Sequence, residues 1–279
     1  MGKKIPSGGF STVSSMERLR ASQWSKEADC LPQGLHRKVW EVALAMETFK
    51  QAGVLKAGKR GLGFGCGVEV VPEFLARDGV EVVATDFHGG GWHKSSKESL
   101  YHGHGDKDNF DRLVSYQDLD MNWIPEKFDG QFDCAWSLCS LDHVGCILLS
   151  RRFIFNSLRC LKPGGVAVHA GEYRIGSDWD TVDYHDTVLW TWWDIRQTLA
   201  LCREWGCECE FDWDLGDHEL DKMENQRGLL GPEDVHLKTE MGGPNGKNYP
   251  TTSFGLVIRV PDDWDSHDTT VWSSIHIVG

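Results

Sequence analysis

Apolar and polar positions follow two different periods along this chain. Between residues 35 and 55 the apolar side chains Val39, Trp40, Ala43, Leu44 and Phe49 fall near helical spacing, with Gly53 close to the end. That pattern predicts a helix. Beyond it, short apolar runs of strand length alternate with helical segments. The strand-like runs are residues 61–64, 80–85, 113–116, 134–137 and 166–170. The helical ones are 70–76, 148–161 and 191–205. Such alternation predicts an α/β fold, a parallel sheet with helices on both faces. Gly79 and Lys162-Pro163-Gly164-Gly165 punctuate it where turns are needed. After Cys207, residues 208–213 and, more strongly, 253–260 read as further strands. About forty residues rich in Gly, Asp and Glu lie between them, which is longer than an ordinary connection and suggests a lid or a disordered loop. Residues 1–22 are polar and expected to be loosely ordered.

Charge narrows the functional classes. Asp and Glu number 42 against 29 Lys and Arg, a net charge of −13. Such a chain repels phosphate backbones and shows no basic patch, so no nucleic-acid partner is expected. No apolar stretch approaches the roughly 20 residues of a membrane span. The start, Met1-Gly2-Lys3-Lys4-Ile5-Pro6-Ser7, nearly matches a myristoylation signal, but Pro6 stands where Ser or Thr is required. Nine cysteines with no C-x-x-C pair point to reduced thiols in a cytoplasm, with no metal site expected. His88, His93, His102 and His104 cluster in one loop, yet their spacings match no established ligand motif.

The glycine-rich run Arg60-Gly61-Leu62-Gly63-Phe64-Gly65-Cys66-Gly67 is the strongest chemical signal. Glycines at alternate positions let a strand turn sharply and bring backbone against a ligand. The dinucleotide pattern G-x-G-x-x-G fails from every start: from Gly61 it ends on Cys66, from Gly63 on Val68, from Gly65 on Val70. No Gly-Lys-Ser/Thr ending marks a P-loop. What remains is G-x-G-x-G, a turn suited to a nucleoside and an amino-acid group. The next strand ends in Asp86, placed to take hydrogen bonds from ribose hydroxyls; a simple turn cap is the competing reading.

The runs GLGFGCG, VVATD, DMNWIP, FDCAWSLCSLDHVG and LRCLKPGGVAVHAGEY resemble the ordered motifs of class I S-adenosylmethionine-dependent methyltransferases. More narrowly, HRKVWE, the GLGFG turn and the late HLK…TSFGLVIR resemble a bacterial group associated with glycan or secondary-metabolite gene clusters. The resemblance spans roughly residues 33–260. It implies a Rossmann-like, seven-stranded, mostly parallel sheet, with insertions after strand five and before the last strand. Residues 1–55 would form an N-terminal extension and helical lid, 56–260 the methyltransferase domain, and 261–279 an acidic tail. It also implies S-adenosylmethionine as cofactor. Gly63, Gly65 and Gly67 would face its methionine and ribose portion, Asp86 the ribose hydroxyls, Phe87 and Met121 with Asp120 the adenine, and Ser137 the sulfonium. One departure matters. Many members carry an acidic residue where this chain has Gly61, so the methionine amine must be held differently.

Methyl transfer needs alignment and, for a hydroxyl acceptor, removal of a proton. His143, in the segment after the fourth strand, is the candidate base; a histidine that merely bonds a neighbouring loop is an equal reading. Glu172 and Tyr173, just past the fifth strand, could contact the acceptor, and Arg37 or Lys38 the cofactor carboxylate. His169, within that strand, reads as a core histidine. Thirteen tryptophans against five tyrosines is unusual. Trp179, Trp190, Trp192 and Trp193 crowd the segment after strand five, so Trp190 and Trp193 are candidates for an aromatic acceptor wall, with core filling the alternative. Asp178, Asp180, Asp183 and Asp186 among them favour a neutral or cationic acceptor, a small molecule or sugar.

Overall fold

The computed structural model describes residues 4–20, 35–90, 95–184, 187–226, 235–243 and 246–267. Twelve strands and six α-helices are assigned among them. Two-residue β1 (Gly9–Phe10) and β2 (Leu35–His36) precede β3 (Arg60–Gly63), β4 (Glu81–Asp86), β5 (Val114–Asp118), β6 (Phe132–Leu138) and β7 (Leu161–Arg174). Then come β8 (Val182–Tyr184), β9 (Thr187–Leu189), β10 (Val235–His236), β11 (Lys238–Gly242) and β12 (Asn248–Arg259). The helices are α1 (Val13–Arg20), α2 (Arg37–Gln51), α3 (Val71–Arg77), α4 (Lys107–Leu113), α5 (Ile147–Arg159) and α6 (Trp192–Glu204). No described helix is long and apolar enough to cross a membrane.

One sheet runs β1-β12-β7-β6-β3-β4-β5, with β11 also on β12. Strands β3 to β7 pair in parallel and β12 pairs antiparallel to β7. Chain order along the sheet reverses between β3 and β6, and ligands of open α/β sheets lie in the crevice at such a switch. Both faces of the central strands are buried, so their side chains alternate between two cores. Cys134, Trp136, Val166 and Val168 join α2, α3 and α4 on one face. Leu62, Ala135, Ala167, Leu256 and Ile258 join α5 and α6 on the other. This explains why the strands read as continuous apolar runs.

Two expectations change. The N-terminal segment, expected to be loose, contributes β1, paired antiparallel to β12 at Gly9–Gly255 and Phe10–Phe254, and then helix α1. Burial of Phe10, Val13 and Met16 explains the order. The segment 208–213, expected as a strand, makes only isolated bridges, Glu208 to Arg259 and Phe211 to Gly8. Short β1 and β11 take the edge of β12 instead. Within the long connection before the last strand lie β10, parallel to β2, and β11.

Candidate functional site

Strand β3 ends in the glycine turn at the carboxyl edge of the sheet. Gly65 and Gly67 take left-handed backbone conformations, φ +59° and +54°. A Cβ at Gly65 would collide with Ser140 in the segment after β6, whereas one at Gly67 would meet nothing within 4 Å. The first glycine therefore serves packing, and the second borders open space. Cys66 N donates to Thr85 O at 3.0 Å, stitching the turn to β4.

Asp86, the last residue of β4, closes this stitch. Its Oδ2 accepts from Gly67 N at 2.9 Å and from Ser95 Oγ at 2.6 Å, and its Oδ1 accepts from Phe87 N at 2.8 Å. A carboxylate offers about four acceptor positions, so Oδ1 retains capacity for a ligand hydroxyl. Phe87 stands half exposed beside it. Met121 is buried, its sulfur 3.5 Å from where a Gly65 Cβ would stand, and Asp120 Oδ1 accepts from Asn122 N at 2.8 Å. Gly67, Asp86 and Phe87 are thus bonded together, and Met121 lies against Gly65.

Behind it lies a buried ionic network. His36 Nδ1 accepts from Lys38 N at 3.1 Å and starts α2. Arg37 and Lys38 in the first turn are poorly placed against the helix dipole, so they need carboxylates. Arg37 Nη1 bonds Glu172 Oε1 directly and lies 3.0 Å from Ser253 Oγ. Lys38 Nζ lies 3.2 Å from Glu41 Oε2, and Glu41 Oε1 accepts from Ser253 Oγ at 2.6 Å and from the Cys139 thiol at 3.0 Å. Burial would raise the Glu41 pKa, but Lys38, Arg37 and the Ser253 bond together hold it below its usual value. Asp142 is wholly buried; burial first, and then the charge of Glu172, push its pKa well up, even though Oδ1 accepts from Glu172 N at 3.0 Å. Asp142 Oδ2, Glu172 Oε2 and Arg37 Nε have no hydrogen-bond partner among the described residues. Cys139 itself adopts φ +56°, a conformation costing a side-chain-bearing residue about 1–2 kcal/mol. The ligand atoms of Cys139, Asp142 and Glu172 lie within 4.8 Å of one another. None of the described loop histidines joins that group; His88 Nε2 meets Tyr116 Oη at 3.2 Å and His102 Nε2 meets Val68 O at 3.0 Å. His93 lies outside the described residues.

Residues 62–169, from the glycine turn through β7, match the family described as a methyltransferase domain. The chain therefore carries a methyltransferase domain over this segment. Ubiquinone biosynthesis O-methyltransferase of Psychrobacter arcticus is 26% identical over 162 residues, covering 58% of this chain and 55% of the relative. Its Psychrobacter cryohalolentis counterpart is 27% identical over 161 residues, with the same coverage of 58% and 55%. The chain thus spans about half the length of the curated relatives it matches. Among solved structures, a candidate sarcosine dimethylglycine methyltransferase from Galdieria sulphuraria aligns at 15% identity and a TM-score of 0.47, covering 88% of this chain and 99% of that one. A candidate methyltransferase from Bacillus halodurans aligns at 16% and 0.45, covering 76% and 97%.

Several site expectations for the methyltransferase domain need correction. Ser137 is buried and its hydroxyl is committed. Ser157 gives its one proton to Ile154 O at 2.6 Å, so His169 Nε2 must donate to Ser157 at 2.8 Å. Nδ1 then accepts from Ser137 Oγ at 2.8 Å, so the wholly buried Ser137 side chain is turned to a core histidine. Burial pushes the His169 pKa down to about 3, the neutral core histidine its strand position suggested. Strand β7 runs on through Arg174, so Glu172 and Tyr173 lie inside it, not past its end. Glu172 is held by Arg37, and the Tyr173 ring packs 4.6 Å from Phe10. Trp190 is wholly buried against Phe254, so its ring cannot form an acceptor wall; Trp193 keeps 38% of its surface exposed, its ring tilted 37° to that of Trp179 at 4.7 Å. His143 ends a short turn after β6 and is exposed. Arg37 is spent on Glu172 and Ser253; Lys38 is the more open of the two cations.

The residues unread from sequence are Glu41, Glu69 and Ser253. Glu41 carried a signal, an acid one turn after Arg37 on an apolar helix face. Ser253 carried none.

Proposed function

We propose that this chain transfers a methyl group from S-adenosylmethionine to a hydroxyl of a small molecule or sugar, with His143 taking the proton. The observation that carries the reading is the Asp86 carboxylate bonded to the backbone of Gly67, beside a glycine whose missing Cβ faces open space. That cradle fits a nucleoside. Asp86 Oδ1 would take a ribose hydroxyl, and Phe87 and Met121 would flank the adenine. When bound, the cofactor supplies an electrophilic methyl carbon. The chain then has to hold the acceptor in line and take its proton. His143 is exposed at the end of the turn after β6, on the same sheet edge. Asp142 does not orient it, since Asp142 is turned inward to Glu172 N.

Exposed Trp179 and Trp193 with Asp178 and Asp180 follow β7, and suit a neutral or cationic acceptor with a ring or sugar face. The Psychrobacter relatives, named as O-methyltransferases of ubiquinone biosynthesis, support oxygen as the acceptor atom.

The test is production of S-adenosylhomocysteine by the full chain across a panel of hydroxylated, amine and thiol acceptors. A hydroxyl acceptor should turn over, and His143→Ala should lower kcat by about 10²–10⁴ with cofactor affinity unchanged. No turnover with any acceptor class counts against an enzyme. Full activity of His143→Ala counts against the base and favours an amine or thiol acceptor.

A further inference from the structure

Trp136, in β6, lies across the two glycines of β3. A Cβ at Gly61 would stand 3.1 Å from its Cζ3, and one at Gly63 2.5 Å from its Cζ2. With Cys134 Sγ and Leu75 Cδ1 each 3.2 Å from the same point, a side chain at Gly61 would have to push its neighbours aside. The indole Nε1 donates to the carboxylate of Glu69, in the turn between Gly67 and α3. Glu69 also receives the Cys66 thiol and faces Lys38 and Glu41 of α2. Burial outweighs those donors and raises its pKa to about 8. Buried carboxylates are paired or protonated. Here the nearby cation, Lys38, is already shared with Glu41 at 3.2 Å, although a third of its side chain is open. The Glu69 carboxyl therefore sits at the glycine-turn end of the cleft short of positive charge.

We infer that Glu69, oriented by the Trp136 indole, receives the α-ammonium of the cofactor's amino-acid end, with Lys38 beside it for the α-carboxylate. This rests on the S-adenosylmethionine reading. Glu69→Gln keeps the size and the acceptor for Trp136 while removing the group that can become a carboxylate against the ammonium.

The experiment is calorimetry on the full chain with three probes: S-adenosylhomocysteine, its deaminated analogue, and 5′-methylthioadenosine, which lacks the amino-acid end. Glu69→Gln should weaken S-adenosylhomocysteine about tenfold, the scale of a lost charged hydrogen bond, and leave 5′-methylthioadenosine unchanged. The wild-type chain should lose a similar factor with the deaminated analogue, and Glu69→Gln should add nothing further to that loss. Equal weakening of both nucleosides, unchanged S-adenosylhomocysteine affinity, or additive losses would overturn the assignment. The wild-type arm with the deaminated analogue stands even where the variant folds poorly, and an unchanged affinity there also overturns it. A wild-type chain that binds neither nucleoside overturns the cofactor reading itself.

Discussion

Arg37 and Glu172 meet as a buried ion pair between the first turn of α2 and the last turn-ward residues of β7. The contact ties the helix covering one sheet face to the strand end where the cleft opens. Breaking one partner leaves a buried charge uncompensated. Arg37→Met should therefore cost about 3–5 kcal/mol in urea unfolding. Adding Glu172→Gln should recover part of that loss; a double variant no more stable than Arg37→Met would show that the pair is not coupled.

Gly65 and Gly67 share a backbone conformation but not an environment. Gly65→Ala meets Ser140 and should lower the melting temperature strongly. Gly67→Ala meets no atom within 4 Å and should lose only about 1 kcal/mol from its backbone, yet bind S-adenosylhomocysteine poorly. Comparable melting of the two variants would contradict the packing role of Gly65.

Asp86→Ala and Asp120→Ala should each weaken S-adenosylhomocysteine by about tenfold or more, through hydrogen bonds worth about 1.5–3 kcal/mol. Asp86→Ala should in addition reduce stability, because Gly67 N, Phe87 N and Ser95 Oγ lose their acceptor. Calorimetry and thermal melts separate the two effects. Unchanged affinity in both variants would remove these residues from the cofactor site.

Asp142 and Glu69 set a pH dependence of folding. Both have raised pKa values, so between the ordinary carboxyl range and the raised value the folded chain holds protons that the unfolded chain has released. Stability then falls as pH rises, for Glu69 from near 4.5 to about 8. Glu41, with a lowered pKa, acts in the opposite sense and only at the acid end. Asp142→Asn mimics the neutral acid and should flatten the loss of melting temperature from pH 5 to pH 8. An unaltered slope would mean that Asp142 is ionised in the folded chain.

Much of the fold was legible because it is local. Strand, glycine turn, helix and second strand follow one another within residues 60–86, and each step is dictated by short-range periodicity and by backbone freedom at Gly65 and Gly67. Asp86 could be found by its offset from that turn. The N-terminal segment was misread because, among its described residues, only Ile5, Phe10, Val13 and Met16 are buried apolar side chains, too few for a periodic signal, while its partner β12 lies some 240 positions away.

By itself, then, the sequence determined the alternating parallel architecture, the switch-point turn and the acid that closes it. Tertiary structure alone decided the ionic network and the fate of the aromatic residues. Arg37 meets Glu172 across 135 positions and Ser253 across 216, and no local period encodes such pairings. Trp136, Tyr173, Trp190 and Trp193 are chemically alike in combining a large apolar body with one polar handle, so residue type suits core and cleft equally. Packing separates them: Trp190 and Tyr173 fill the interior, Trp193 reaches the surface, and Trp136 fills the space over Gly61 and holds Glu69 in its place.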